Sequence, residues 1–578
     1  MIDVLWLSYL QEIPARGYWD QSFLEDFFSS RLWKLNSSIQ FNHIYSFDEA
    51  NREGLIVVLP GKDHDLYLNS INHDLSKFEW VILFITSDEE SMFPFERIEH
   101  ENIKIFVSYP PKGDYQYSYP LRSSSVEYFP CGYNSNTIKY IDLDKERNFD
   151  WSFCGQTTHR IRNECSDAIK KLKPTPGQSI YLLETGGFAQ GLSSVEYADI
   201  LSRSKIVFCP SGPVSPDSFR LYESLEAGAV PFVDTGYDRA DFWEKLYPEK
   251  PFPIVDSWNE EKTKDTYQWV LEGWEEISNR TLSWWMDYKR NFAYKISETI
   301  ECMSGKEFSK RIADQVTAVV TVSPIPSHPS VEIIEETIDS IRRYPELSEI
   351  EIIIVCDGVR WQDADLTEAY SGFKKNLLKL INSKYKNILP IVMDSHQHQA
   401  NSTRIAMQKV KTPFMLFVEH DTPLTGAIDW ASVISAVGSY EVDVVKFHHE
   451  SRILDEHKYL MIDVDTPIHI EKCPLLRSGQ WSQRPHLTRS DYYRNILEKY
   501  FGLDSRTMIE DVMHGVLFNL YKNRGIDGWM EHKFSIYAPG GSIQRSYHLD
   551  GRGDREKYEM IYDYDGDVPE FAPAKTEL

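Results

Sequence analysis

The sequence is short of the features that usually mark a chain for a specialised class. Its seven cysteines (Cys131, Cys154, Cys165, Cys209, Cys302, Cys356, Cys473) are odd in number, scattered, and never spaced as a metal knuckle or redox pair, which argues against a disulfide scaffold or a zinc ribbon. They read as buried thiols in a reducing compartment. No apolar run approaches the roughly 18 residues that a membrane span requires. The opening MIDVLWLSYLQEIPARGYWD lacks a basic leader and reads as a first strand, not a signal peptide. Positive charge is also scarce, since 62 Lys and Arg against 88 Asp and Glu leave a net charge of -26. Nucleic acid and anionic membranes call for a basic surface, so neither is an expected partner, and any bound phosphate must be met locally. There is no repeat at a fixed period and no low-complexity segment. The expected location is the cytoplasm.

What is present is a large, ordinary globular composition. The 578 residues exceed one core, and 42% hydrophobic with 26% charged residues fits a folded multidomain enzyme. The aromatic content of 13% is on the high side; such rings pack interiors and can also stack on sugar faces. Short apolar runs (VLWLSYL, LIVVLP, WVILFIT, IKIFVSY) alternate with helical stretches, the pattern of a parallel α/β sheet. A second α/β alternation (WSFCG, SIYLLET, KIVFCP, VPFV) follows, then one or two long helices from Trp274 to about Arg311. A third opens at AVVTVSP and continues through EIEIIIVCDG, ILPIVMD and FMLFVEHD. The expected domains are 1–145, 146–312, 313–550 and a charged tail over 551–578.

In the first half the densest motif is KIVFCPSGPVSPDSFRLYESLEAGAVPFV. A buried strand enters a Gly/Pro loop containing Gly212, and Asp217 or Ser218 can cap the next helix. Its N-terminus offers backbone N–H groups to a diphosphate. Arg220 can add a charge-assisted contact, and Glu223, one turn on, can accept from ribose hydroxyls. Upstream, WSFCGQTTHRIRNE places Arg160 and Arg162 after a strand and a glycine turn, where surface ion pairing is the ordinary alternative. Asp20 and Glu25, after the first strand, are either a base or solvated carboxylates.

These motifs resemble the exostosin family of GT-B glycosyltransferases, in the Pro-x-Gly loop, the Ser-x-Arg pair, the helical Glu and the Gly-x-x-Pro exit. The resemblance implies two Rossmann-like units, acceptor-side then donor-side, with Arg160, Arg162, Gly212, Ser218, Arg220 and Glu223 binding a donor without a metal.

In the second half, EIIIVCDG ends a strand with Asp357, which can meet a nucleobase or ribose. FMLFVEHD ends another with Glu419-His420-Asp421. Acids separated by one residue at a strand end project to one side, and hard oxygen ligands suit Mg2+ or Mn2+. This segment resembles the Asp-x-Asp region of GT-A glycosyltransferases. The resemblance implies Asp421, Glu419 and His548 as the metal set and Asp357, Asn401, Arg404 and Glu419 at the donor, with capping as an alternative for Asn401. It further implies Trp481 stacking on an acceptor sugar, Asp511 as general base and Glu510 orienting the acceptor. The pairs His396/His398 and His448/His449 form no complete ligand set and read as structural.

Together the halves resemble exostosin-type bifunctional glycan polymerases, in a bacterial or viral relative. The expected fold is α/β, GT-B followed by GT-A. The expected function is transfer of sugars from nucleotide-diphosphate donors to a glycan or glycosylated acceptor, at a metal-independent and a Mn2+- or Mg2+-dependent site. A homo-oligomer is an admissible assembly. The rivals are a chain in which only the GT-A site is active, and a non-catalytic glycan-binding scaffold.

Overall fold

The computed structural model describes residues 2–7, 19–29, 39–51, 53–60, 68–89, 93–94, 97–109, 126–187, 190–236, 240–306, 311–359, 364–464, 466–503 and 505–549. Of the tail expected over 551–578, only the backbone of 558–559 and 572–573 is described, and the Asp20 side chain also lies outside. The chain divides into two compact units, Met1–Ser309 and Lys310–Leu578.

Unit 1 contains two parallel sheets. The first comprises β1 (Ile2–Trp6), β2 (Phe41–Ile44), β3 (Gly54–Pro60), β4 (Trp80–Thr86), β5 (Ile103–Val107) and β6 (Val126–Tyr128), in the order β2-β1-β3-β4-β5-β6. The second comprises β7 (Phe149–Gln156), β8 (Ser179–Thr185), β9 (Ser204–Cys209), β10 (Val230–Asp234) and β11 (Ile254–Val255), in the order β11-β10-β9-β7-β8. Strands β3 and β4 are buried along their whole length, as expected for a parallel sheet covered on both faces. Both sheets follow the doubly wound rule, reversing direction beside their first strand, between β1 and β3 and between β7 and β9. The expected closing segment is a single 31-residue helix, Trp274–Ser304, which stops at Gly305 in the left-handed conformation. One helical turn carries Trp285 against Tyr222 of the second half, and two turns on Phe292 packs against Phe27 and Phe106 of the first.

Unit 2 is built on a nine-stranded mixed sheet in the order β14-β13-β12-β15-β19-β16-β20-β18-β17. Its strands are β12 (Val316–Val322), β13 (Glu351–Cys356), β14 (Ile388–Val392), β15 (Phe414–Glu419), β16 (Val444–Lys446), β17 (Ile468–Ile470), β18 (Cys473–Arg477), β19 (His486–Arg489) and β20 (Phe534–Tyr537). The first four are parallel, and β19 joins them antiparallel to β15. β12 and β13 are buried throughout.

Five of the seven cysteines are buried as expected, whereas Cys154 is half-buried and Cys302 exposed. Among the described residues no helix is long and apolar enough to cross a membrane.

Candidate functional site

In unit 2 the strand order reverses at β12, so the crevice beyond the carboxyl ends of β13, β12 and β15 is where an open α/β sheet receives its ligand. A pocket of about 910 Å³ fills it, lined by Val322, Asp357, Gln399, Glu419, Asp421 and His548 among others. A second pocket of about 280 Å³ adjoins it and shares Glu419, Met508 and His548. Its other walls come from the antiparallel half, including Lys446 at the end of β16, Arg484 before β19, and Glu510.

The acidic motif sits where the two pockets meet. Burial alone would raise the Asp421 carboxyl, but the hydrogen bond from His548 and the charges of His420 and His548 hold it below the usual range. His548 Nε2 lies 3.3 Å from Asp421 Oδ2, and that bond lifts its own pKa. Glu419 goes the other way, pushed up to about 7 by burial and then by the Asp421 charge, while its Oε1 accepts from Gln399 Nε2 at 2.9 Å. The pKa values of two carboxyl groups two residues apart are thus shifted in opposite directions.

Among the described residues no three His, Cys, Asp or Glu side chains form a metal cluster. Of the expected trio, Asp421 and His548 are in direct contact, and Glu419 lines both pockets beside them. A carboxylate oxygen and an imidazole nitrogen are donor types that a divalent cation accepts.

Other expected residues are engaged within the fold. Asp357 lines the larger pocket, but its carboxylate already accepts from the backbone of Gln397 at 2.7 Å and His398 at 2.9 Å and pairs with His396. It clamps the 396–398 loop that forms a pocket wall. Gly358 is needed beside it, because a Cβ there would collide with the Ser395 and His396 backbone. Asn401 and Arg404 line neither pocket. Arg404 donates to the carbonyls of Leu497 and Phe501 at 2.9 and 2.7 Å, neutralising the end of the helix Ser490–Tyr500, and to Asn401 at 2.6 Å. Trp481 is fully buried, with its Nε1 donating to Gln483, and cannot stack on a sugar. In that loop the polar neighbours Gln480, Ser482 and Arg484 face the pocket instead.

Glu510 and Asp511 open the helix Ile509–Arg524. Successive helical residues diverge by roughly 100°. Ile509, Met513 and Leu517 turn into the core; Glu510 lines the smaller pocket, accepting from Gln483 N at 3.0 Å, and Asp511 is exposed and lines neither. The paired histidines do more than pack: His396 and His398 line the larger pocket, His448 and His449 the smaller. Lys446 and Arg484 were not singled out by sequence, and no short-range pattern marks either.

In unit 1 a pocket of about 200 Å³ lies at the carboxyl ends of β7 and β8, closed by the helix that follows β9. Arg162, Arg220 and Glu223 line it together with Cys154, Gly155 and Gln156. Arg220 is 3% exposed, its Nε donates to the Cys154 carbonyl at 3.0 Å, and its Nη1 is buried without a partner. A Cβ on Gly155 would collide with that guanidinium. Arg162 donates to the Ser211 carbonyl at 3.2 Å and is lowered to about 9 by burial and by Arg220. Arg160 is exposed beside Glu164, and Gly212 and Ser218 line no part of the pocket. Ser218 holds the N-cap position of the helix Phe219–Glu226 without a side-chain capping bond. Asp217 does not cap either: its two carboxylate oxygens share the hydroxyl proton of Tyr222, and burial pushes it up to about 7.

No family model and no curated protein matches the sequence. Among solved structures, S. aureus TarS 1-349 in complex with UDP-GlcNAc is similar at 14% identity with a TM-score of 0.26, over 40% of this chain and 58% of that one. GalNAc-T7 with UDP, GalNAc and Mn2+ is similar at 12% identity with a TM-score of 0.28, over 42% of this chain and 46% of that one. A 4-diphosphocytidyl-2C-methyl-D-erythritol synthase from Anaerococcus prevotii DSM 20548 is similar at 16% identity with a TM-score of 0.22, over 39% of this chain and 89% of that one. This chain thus spans less than two thirds of TarS 1-349 and of GalNAc-T7. Likenesses this slight carry no weight for its chemistry, which rests on the geometry above.

Proposed function

We propose that unit 2 is a GT-A-type glycosyltransferase that takes a nucleotide-diphosphate sugar in its larger pocket and an acceptor in the smaller one. One observation carries the reading: two strand-end acids, with a histidine against one of them, sit where a pocket of about 910 Å³ meets a second pocket lined by Glu510. That volume falls within the range of small-molecule sites.

Asp421 and His548 would hold Mn2+ or Mg2+, which when bound neutralises charge on the departing diphosphate. The protein's own groups do the rest. Glu510, in place of the exposed Asp511, takes the proton of the acceptor hydroxyl as its oxygen bonds to the sugar anomeric carbon and the carbon–phosphate-oxygen bond breaks. Asp357 holds the donor pocket wall, and Glu419 hydrogen-bonds through Gln399 at the junction.

A second reading concerns unit 1. Two arginines converging on a pocket at the carboxyl ends of parallel strands, one with a buried unpartnered nitrogen, favour an anion-binding site. With two doubly wound sheets, this supports a metal-independent GT-B donor site of the exostosin kind and hence a bifunctional chain. The alternatives are a unit 1 that only binds acceptor, or a scaffold without catalysis.

The test is a panel of sugar nucleotides offered to the purified chain with Mn2+, with chelator, and with Asp421→Ala. Release of nucleoside diphosphate that requires both metal and Asp421 supports the unit 2 site. Release indifferent to both refutes it, and no release from any donor leaves the scaffold.

A further inference from the structure

The smaller pocket of unit 2 contains a group of positive and N–H-bearing side chains that the transfer step does not use. Lys446 is 6% exposed and lines this pocket but not the larger one. Among the described residues no hydrogen bond or ion pair engages its ammonium. Arg484, half-buried, lines the same wall, and His448 has a buried Nδ1 without a partner. Exposed His457 completes the group.

In a chain carrying a net charge of -26, a carboxylate partner for a buried lysine would be easy to supply. The acids that do line this pocket, Glu419 and Glu510, belong to the proposed reaction centre, and neither pairs with Lys446. Burial presses the Lys446 ammonium down to about 8, against the opposing charges of Glu510 and Glu450 and with a smaller push from Arg484, and burial together with Lys446 lowers His448. A buried cation held by no direct ion pair or hydrogen bond is costly unless a ligand completes it.

We propose that this pocket recognises an acceptor bearing a negatively charged substituent, a phosphate ester or a carboxylate, held by Lys446 and Arg484 with His448 and His457 as further donors. The inference rests on the reading of unit 2 as a transferase. The anion belongs to the acceptor and not to the donor diphosphate because Lys446, Arg484, His448 and His457 line only the smaller pocket, whereas Asp421 lines only the larger.

The experiment measures binding of glucose 6-phosphate, glucuronate and glucose to the full chain by titration calorimetry, with and without whichever of UDP, GDP and CDP binds best. At least one anionic sugar should bind tenfold or more tightly than glucose with the nucleotide present, and the phosphate and carboxylate arms identify the substituent. Lys446→Met and Arg484→Gln should each weaken that binding tenfold or more and leave nucleotide affinity within twofold. Equal binding of glucose, or anion binding untouched by both variants, overturns the proposal. Displacement of the anionic sugar by the nucleotide also overturns it, assigning the cluster to the donor phosphates. If nucleotides bind and anionic sugars do not, this inference fails alone. If anionic sugars bind and no nucleotide does, the transferase reading fails and the acceptor assignment goes with it.

Discussion

Replacing Lys446 with methionine should make unit 2 more stable at neutral pH. The residue is almost fully enclosed, and burial lowers its pKa. At about 1.4 kcal/mol per pH unit, a fall from the ordinary 10.5 to about 8 corresponds to about 3 kcal/mol held against the folded state while the ammonium is charged. Methionine keeps most of the volume and carries no charge. The pH dependence has a fixed sign. Below the folded pKa both states of the wild type are protonated and the whole penalty is present. Between about 8 and 10.5 the unfolded chain binds the proton and the folded one does not, so wild-type stability rises with pH. Above that window the penalty is gone. The variant's advantage should therefore be greatest below about pH 7, shrink across the window, and vanish above it. Denaturant unfolding of wild type and Lys446→Met at several pH values, followed by hydrogen exchange on unit 2 peptides, measures this directly. A variant less stable at pH 7, or an advantage that does not shrink between pH 8 and pH 10.5, refutes the reasoning. Such a stability cost at a group kept for binding is the usual trade at functional sites.

Glu510→Gln should lower transfer by about 10²–10⁴-fold, as for a lost general base, with nucleotide affinity retained in calorimetry, while Asp511→Asn should stay within a few-fold of wild type. The reverse ranking would return the base to Asp511. Arg220→Ala should weaken nucleotide binding in unit 1 by roughly 10- to 100-fold, the range of a lost charge-assisted hydrogen bond; an unchanged titration would remove that site. Trp481→Ala should destabilise unit 2 by about 3–5 kcal/mol through the cavity it leaves, and a neutral effect in chemical denaturation would mean that Trp481 is not the core residue described.

The sequence by itself determined most of the architecture. Parallel strands covered on both faces are apolar along most of their length, so LIVVLP, WVILFIT, EIIIVC and FMLFVE announced β3, β4, β13 and β15 without long-range information. The same runs ended in Asp357 and in Glu419-His420-Asp421, which placed candidate groups at the carboxyl edges of strands. Arg162, Arg220 and Glu223 could likewise be read from a strand, a glycine turn and a helical register, and they do line one pocket. What only the tertiary structure decided lies where short strands take their place from the sheet. β16, β17 and β19 have three or four residues each, too few for a periodic signal, so nothing local sets Lys446 and Arg484 beside Glu510. Glu510 and Asp511 are equivalent in sequence; the burial of Ile509, Met513 and Leu517 turns one into the pocket and the other into solvent. Trp481 and Arg404 have the right chemistry for ligands, but one fills the core and the other closes a helix end. Residue type defines what a side chain can do; the packing around it determines whether a ligand can reach it.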